Sequence, residues 1–330
     1  MRHARRAITI PAVIGTWILL LVSLPLALPV LAILDLVRGR SFPWFRCYVF
    51  FFYYACLQVA GLSSLLIIWI WHVGGDRDAR GYWDGNLRIQ RTWLRLMGWG
   101  LLKIYSATIE MSGVEDFQNR PFIMLLRHAS VADPLIPGLL FGDQHLEMRF
   151  VMKNQLLFDP CLDINGNRLF FRFVKRGGRQ TEKEVGRVAE LMDDTGPGRG
   201  PLICPEGTIY SKSKSARIKE KIDRGEIEGG EQVRGLEAVL PPRLPGTLAI
   251  FDRMTNEDVI FIAHAGLERM SYFRDFLRGD LIGARLKVEM WSYRAEEVPS
   301  DREGRISWLY ENWKRVDRMV RDHARENEPS

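Results

Sequence analysis

Two long apolar runs open the chain. Residues 8–34 contain no charged side chain, and residues 47–71 form a second uncharged run. Either run exceeds the roughly 18–20 apolar residues that a helix needs to cross a hydrocarbon core. A secretory signal peptide would have a shorter apolar region and no second one directly behind it. We therefore predict an N-terminal pair of membrane helices within residues 1–75.

Prolines and arginines bear on how this pair sits in the bilayer. Pro11, Pro25 and Pro29 interrupt the first run and allow a shallow hairpin within one leaflet, as an alternative to two full crossings. Arginines occur before, between and after the two runs, so the charge distribution does not fix the orientation. The simplest expectation is that both ends of the pair, and the rest of the chain, face the cytoplasm.

The next segment mixes arginines with large apolar residues. Residues 83–105 read WDGNLRIQRTWLRLMGWGLLKIY. This composition is typical of a helix that lies in the membrane interface, and it fits an ordinary domain helix equally well. We assign residues 76–106 to an interfacial helix or linker.

Beyond residue 106, short apolar runs alternate with polar, helix-like segments. The predicted strands are residues 107–112, 121–127, 148–153, 168–174, 200–204, 259–265 and 286–293. The predicted helices are residues 134–141, 180–193 and 303–325, and the polar residues 211–232 are predicted to form a loop or an exposed helix. This alternation predicts an α/β domain over residues 107–330, with a mixed, mostly buried sheet flanked by helices.

Charge and cysteine content narrow the possible partners. The net charge is +6, and residues 149–224 carry 16 basic against 10 acidic side chains, so this region alone matches the whole excess. A basic region of this kind indicates an anionic partner, either a phosphate-bearing small molecule, an anionic lipid headgroup or nucleic acid, or it is a solvated surface. The four cysteines have no C-x-x-C spacing, and His145 and His264 have no metal-ligand spacing, so no metal site is expected.

The stretch RHASVADP, residues 127–134, is the first candidate for chemistry. Histidine is the natural general base near neutral pH, and a carboxylate on its second ring nitrogen fixes the tautomer. On one continuous helix His128 and Asp133 would point about 140° apart, so they meet only if His128 lies in a turn. Pro134 favours a helix start, which makes Asp133 a predicted N-cap; an N-cap without any catalytic role is the alternative.

Two further stretches follow strands. In CPEGTIYSKSK, Glu206 can accept hydrogen bonds from substrate hydroxyls, Gly207 allows close approach of a ligand, and Thr208 adds a hydroxyl. In RFVKRGGRQ, four cations lie within eight residues, a composition that suits phosphate. A plain turn and a solvated basic loop are the respective alternatives.

The order of these motifs resembles the glycerophospholipid acyltransferase family, and most of all the 1-acylglycerol-3-phosphate (lysophosphatidate) acyltransferases. His128 and Asp133 match its His-x-x-x-x-Asp motif, FVKR with Arg176 matches the second motif, and Glu206, Gly207 and Thr208 match its Glu-Gly-Thr motif. VLPPRLPGT, residues 239–247, is similar to the fourth motif. Two positions depart from the family pattern. Arg127 replaces an asparagine and Ile209 replaces an arginine, for which Lys212 or Lys214 could substitute.

The resemblance implies a membrane-bound enzyme that moves a fatty acyl group from acyl-CoA or acyl-carrier protein to the free hydroxyl of a lysophospholipid. It implies His128 as general base with Asp133, and acceptor binding by Arg176, Glu206, Gly207 and Thr208. It implies no metal or cofactor beyond the acyl thioester. No nucleic-acid partner is expected, because the basic residues adjoin membrane segments and no nucleic-acid motif is present. Alternatives are another acceptor, such as glycerol 3-phosphate or lysocardiolipin, or a catalytically silent lipid-binding membrane protein.

Overall fold

The computed structural model describes residues 2–73, 75, 80–174, 182–268, 270 and 273–327. Within these ranges the helices are α1 (Arg2–Val37), α2 (Pro43–Trp71), α3 (Arg80–Tyr105), α4 (Ile136–Leu140), α5 (Pro160–Arg168), α6 (Glu182–Ala189), α7 (Lys212–Asp223), α8 (Leu244–Phe251), α9 (Phe273–Arg278) and α10 (Arg302–Glu326). The strands are β1 (Thr108–Ser112), β2 (Phe122–Leu126), β3 (Glu147–Lys153), β4 (Arg172–Val174), β5 (Arg199–Ile203), β6 (Asp258–Ala265) and β7 (Arg285–Tyr293).

The seven strands form one mixed sheet in the order β1-β7-β6-β2-β5-β3-β4. Neighbouring strands are parallel except β6 and β7, which run antiparallel over Val259–Ala265 and Lys287–Tyr293. Each predicted strand is present, and the α/β fold with a mixed, buried sheet is confirmed. The strands β2 and β6 are buried along their whole length, which is why both read as continuous apolar runs.

Helices cover both faces of the sheet. Alternate residues of β2 point to opposite faces: Met124 belongs to the core shared with α2, α3 and α4, and Leu125 belongs to the core shared with α6, α8 and α10. Trp313 of α10 is fully buried in the second core. Because apolar layers cover β2 on both sides, the position of its carboxyl end is tightly defined.

The two N-terminal helices are each long and apolar enough to cross a membrane. Helix α1 continues through Pro11, Pro25 and Pro29 and leaves many apolar side chains exposed. Helix α2 packs against α1 on one side and against α3, α5 and α9 on the other. The N-terminal pair is therefore docked on the α/β domain along α2.

Helix α3 also contributes to the core. Leu94, Met97 and Leu101 are buried beneath the sheet, while Leu96 and Trp99 are exposed. The helix thus presents one face to the domain and a second, partly apolar face away from it.

Some elements differ from the sequence-based prediction. The predicted strand 168–174 begins only at Arg172, because residues 160–168 form α5, whose start is capped by Asp159 accepting from Leu162 N. Helices α8 and α9 were not predicted, and the polar stretch 211–232 contains the regular helix α7, capped by Ser211. These helices are short or poor in apolar periodicity, so their sequences carry little helical signal.

Candidate active site

The turn after β2 carries the first two candidate residues. Ligands of open α/β sheets bind beyond the carboxyl ends of the parallel strands, and this turn lies at that end of the sheet. The segment after β5 lies beside it, because Tyr210 N donates to the carbonyl oxygen of His128 over 3.1 Å. The first and third motifs therefore meet through adjacent parallel strands.

His128 and Asp133 are in direct contact. Nδ1 of His128 lies 2.8 Å from Oδ2 of Asp133, and the same oxygen accepts from Ala129 N at 2.7 Å and Ser130 N at 2.9 Å. Asp133 is fully buried, whereas the His128 side chain keeps 11% of its surface exposed. With the proton on Nδ1 directed at the carboxylate, Nε2 is the nitrogen that can accept a proton from a substrate.

The predicted N-cap role of Asp133 is wrong. Asp133 lies within a short 3-10 turn, Asp133–Leu135, and its side chain caps neither this turn nor α4. The carboxylate turns back instead to the N–H groups that precede it, which closes residues 128–133 into a loop around one oxygen. This arrangement holds the imidazole and the carboxylate together without any contribution from a helix cap.

Glu206 holds the backbone of the same turn through hydrogen bonds. Its Oε1 accepts from His128 N at 2.9 Å and its Oε2 accepts from Leu240 N at 3.2 Å, and the residue is almost completely buried. Burial raises the pKa of the Glu206 carboxyl to about 8, against the opposing influence of Arg127 and the two N–H donors. Both carboxylate oxygens of Glu206 therefore accept from backbone N–H groups, one of His128 and one of Leu240.

Gly207 and Thr208 follow at the open side of the turn. Gly207 has a positive φ of 66°, and a Cβ added there would lie 2.8 Å from Cδ of Arg243, so glycine is required both by conformation and by space. The hydroxyl of Thr208 accepts from Lys214 Nζ at 3.0 Å. Both residues are partly exposed, unlike Glu206.

Arg127, the residue directly before His128, is completely buried. Its guanidinium donates to the carbonyl oxygens of His264, at 2.5 Å, and Ala238, at 3.1 Å, and forms an ion pair with Glu268. Burial alone would raise the pKa of Glu268, but the Arg127 cation lowers it to about 2. The departure from the family asparagine is therefore accommodated by a charged partner on the loop after β6.

His264, at the end of β6, was not singled out as a site residue from the sequence. Its Nε2 lies 3.0 Å from the Arg127 carbonyl oxygen and 3.3 Å from Oδ1 of Asp133, and the ring is fully buried. Burial lowers the pKa of His264, and the Arg127 cation acts in the same direction. A neutral imidazole therefore backs Asp133 on the side away from His128.

The predicted phosphate ligand Arg176 lies outside the described residues, as do Lys175 and Arg179. Of the same basic stretch, Arg172 is described: its Nε lies 3.0 Å from Oε2 of Glu190. The structure thus brings together His128, Asp133, Glu206, Gly207 and Thr208 from the residues that the sequence pointed to.

Comparison with known proteins gives matches over the part of the chain that contains these residues. A model of the family described as "Acyltransferase" matches residues 108–225, the segment that contains all six predicted site residues. The curated mouse protein 1-acyl-sn-glycerol-3-phosphate acyltransferase epsilon is 26% identical over 215 residues. That match covers 60% of this chain and 56% of the mouse protein, so the chain spans little more than half of that relative's length.

The fold has a counterpart among solved structures. The crystal structure of PlsC from Thermotoga maritima, a 1-acyl-sn-glycerophosphate acyltransferase, superposes with a TM-score of 0.57. At 14% sequence identity, the match covers 84% of this chain and 97% of the other. The family model over residues 108–225 and the similarity to the mouse enzyme agree with the resemblance on which the sequence motifs were interpreted.

Proposed function

We propose that this chain is a membrane-bound O-acyltransferase that acylates the free hydroxyl of lysophosphatidate (1-acylglycerol 3-phosphate), giving phosphatidate. The observation that carries this proposal is the His128–Asp133 pair, held at 2.8 Å at the carboxyl end of a buried parallel strand. The family match and the mouse relative support the reaction type and the acceptor.

In the proposed mechanism, Nε2 of His128 removes the proton from the acceptor hydroxyl. The oxygen attacks the thioester carbonyl, the carbon–sulfur bond breaks, and the leaving thiolate takes the proton back from His128. Asp133 stabilises the imidazolium that exists between these steps. General-base catalysis of this kind contributes roughly 10²- to 10⁴-fold, and substrate positioning supplies much of the rest.

The other site residues have separate proposed roles. Arg176 binds the acceptor phosphate, Thr208 orients the glycerol portion, and Gly207 leaves room for the Arg243 side chain to pack over the motif. Glu206 acts through the backbone of His128, because both of its oxygens accept N–H groups. The reaction needs no metal or cofactor besides the thioester donor, acyl-CoA or acyl-carrier protein.

Attachment to the bilayer follows from the chemistry of the substrates. Lysophosphatidate and phosphatidate are amphiphiles that reside in membranes, so the site has to open at the bilayer surface. Helices α1 and α2 supply the apolar surface for this attachment. We propose that the α/β domain faces the cytoplasm, where acyl thioesters are made.

A second acceptor is the alternative within the same reaction type. Ile209 stands where the family motif usually carries a cation, so the alternative acceptors are glycerol 3-phosphate and another lysophospholipid such as lysocardiolipin. A catalytically silent lipid-binding protein is disfavoured, since Arg127 points away from His128 and leaves the pair with Asp133 intact.

The test is thiol release from acyl-CoA by the full-length protein with a panel of acceptors. We expect turnover with lysophosphatidate above that with glycerol 3-phosphate or lysocardiolipin, and at least a roughly 10²-fold loss of turnover in His128→Ala. His145→Ala is the matched control, because His145 is exposed and contacts Arg91 instead of the site. Near-normal turnover by His128→Ala would remove the base assignment, and a stronger preference for another acceptor would replace lysophosphatidate.

A further inference from the structure

Two cations from different parts of the chain lie against the Gly207–Thr208 segment. Nζ of Lys214, in the first turn of α7, donates to Thr208 Oγ1 at 3.0 Å and to the Ile209 carbonyl oxygen at 2.7 Å. Arg243 packs its side chain over Gly207, where an added Cβ would lie 2.8 Å from Cδ and 3.1 Å from Nε. The lysine position is fixed by two oxygen atoms of the third motif itself.

A backbone hydrogen bond fixes the position of Arg243 beside the third motif. Arg243 N donates to the Pro205 carbonyl oxygen at 2.8 Å, which ties the loop before α8 to the segment after β5. The residue is exposed, and its guanidinium makes no hydrogen bond or ion pair with the part of the chain that the structure describes. An exposed guanidinium held in this way can donate to two oxygens of a phosphate at once.

Lys214 and Arg243 both lie against the segment that contacts the backbone of His128. Thr208 lies between Glu206, whose Oε1 accepts from His128 N, and Tyr210, whose N–H donates to the His128 carbonyl oxygen. In a 1-acylglycerol 3-phosphate only two carbons and one oxygen separate the reacting hydroxyl oxygen from phosphorus. A phosphate site for this acceptor therefore has to lie beside the turn that carries His128, and Lys214 and Arg243 both contact the segment that borders this turn.

We propose that Lys214 and Arg243 bind the phosphate monoester of the acceptor together with Arg176, to which the proposed function already assigns it. The inference rests on the proposed function and specifies how this chain meets the acceptor's charge with an apolar Ile209 in the third motif. Lys214 is fixed beside Thr208 as a point charge, and Arg243 supplies a planar donor pair from the other loop. The positive end of α7 lies at the same place, since Ser211 caps the helix through Lys214 N.

The experiment separates this phosphate from those of coenzyme A. Full-length wild type, Lys214→Gln, Arg243→Gln and the double variant are compared with two acceptors, 1-oleoylglycerol 3-phosphate and 1-oleoylglycerol. Each acceptor is tested with oleoyl-CoA and with oleoyl-N-acetylcysteamine, a donor without phosphate. We expect each single substitution to raise KM for the phosphate-bearing acceptor by roughly 10- to 100-fold with either donor, as for loss of one charge-assisted contact.

Three controls keep the outcome specific. Lys212→Gln removes the same charge from an exposed position in the same helical turn, and is expected to change KM by less than about threefold. Lys214→Arg should restore most of the affinity, because it restores the cation. Thermal unfolding of each variant shows whether the fold is intact.

The contrary results are equally definite. Equal effects on both acceptors, or an effect confined to oleoyl-CoA, would overturn the assignment, the latter in favour of the coenzyme phosphates. If wild type acylates no acceptor, the proposed function fails, and the site is judged by equilibrium binding of the two acceptors in detergent micelles. Preferential binding of 1-oleoylglycerol 3-phosphate that is lost in the double variant supports the site; no such preference overturns it.

Discussion

At the scale of single residues, three hydrogen-bond donors of the turn that carries His128 meet at Oδ2 of Asp133. It accepts from the His128 ring and from two backbone N–H groups, at distances between 2.7 and 2.9 Å. Asp133→Asn can keep an oxygen at that place, but it removes the negative charge that stabilises an imidazolium. We expect kcat to fall by at least about 10²-fold with little change in KM. Steady-state kinetics with saturating donor measure this, and a kcat within tenfold of wild type would contradict it.

Arg127 allows a prediction about stability. Arg127→Asn, which restores the family residue, removes the Arg127 cation from the carboxylate of Glu268 and from two carbonyl oxygens. We expect a loss of about 2–4 kcal/mol in the free energy of unfolding, toward the lower part of the range for buried pairs because Glu268 is partly exposed. Chemical unfolding in detergent measures the change, and a family residue that stabilised the protein would refute the argument.

A double variant and pH separate this ion pair from general packing. Arg127→Asn combined with Glu268→Gln should be more stable than Arg127→Asn alone, since the negative charge that faced Arg127 is removed together with the cation. The pKa of Glu268 is lowered from 4.5 to about 2, so the pair stabilises the fold above pH 4.5 and loses this effect as the pH falls toward 2. The difference between wild type and Arg127→Asn should therefore be largest near neutral pH and shrink in acid.

The motifs in the sequence pointed to His128 and Asp133, but they did not reveal which distant residues contact this turn. His128 and Asp133 are five positions apart, so a local turn is enough to explain their contact. The contacts of Arg127 with His264 and Glu268 bridge 137 and 141 positions. These contacts depend on the pairing of β2 with β6. The hydrophobic pattern of the sequence predicts that both segments are buried strands, but it does not predict that they are neighbours.

At the scale of elements, the strands were predictable because each is a short apolar run bounded by polar residues. The short helices were not. Helix α8 begins within a proline-rich stretch, and its start is explained by Pro245 in the first turn, where a missing N–H costs nothing. In α5 the apolar residues are few, and the helix is fixed by the Asp159 cap and by contacts with α2. Tertiary contacts outweigh weak local signals in both cases.

The packing of α3 against α4 gives a prediction at this scale. A Cβ on Gly138 of α4 would lie 2.6 Å from Leu94 Cβ and 2.9 Å from the Leu94 carbonyl carbon. Helix propensity favours alanine over glycine, so Gly138→Ala sets packing against propensity. We expect packing to dominate, with a loss of about 1–3 kcal/mol and a lower kcat, because α4 directly follows the Asp133 turn.

Gly186 of α6 is the matched control for this substitution. A Cβ there meets nothing within 4 Å, so Gly186→Ala should stabilise the protein by up to about 1 kcal/mol through helix propensity alone. Unfolding experiments on both variants measure the two effects. Equal changes in the two helices would mean that the α3–α4 contact does not constrain the site.

At the scale of the whole molecule, the N-terminal helices are tied to the α/β domain at several levels. Near the start of α2, Arg46 Nη1 donates to Ser106 Oγ at 2.9 Å, and further along Arg168 Nη1 donates to the Leu65 carbonyl oxygen at 3.1 Å. Arg46 and Leu65 are about 28 Å apart along the helix, close to the ~30 Å of a hydrocarbon core. Polar groups outside the helix pair therefore contact α2 at two points that are separated by nearly the thickness of a hydrocarbon core.

Helix α1 is held to the same domain at its beginning. Arg5 and Arg6 form ion pairs of 2.7 and 2.8 Å with Asp163 of α5, whose carboxylate is fully buried.

If α2 crossed the bilayer completely, Ser106 and Arg168 would have to lie at opposite membrane faces, with the domain between them inside the hydrocarbon. A polar, charged domain surface makes that arrangement costly.

These contacts predict that the turn between α1 and α2 lies on the same side of the membrane as the domain. Ser41 in this turn is exposed, and so is Glu303 at the start of α10. In sealed vesicles with the domain outward, a membrane-impermeant maleimide should label Ser41→Cys as readily as Glu303→Cys, above the background of the native cysteines seen in wild type. Labelling of Ser41→Cys only after the vesicles are opened would show that the helices cross the bilayer. It would also mean that the Arg46 and Arg168 contacts do not persist in the membrane, because both cannot hold while α2 spans it.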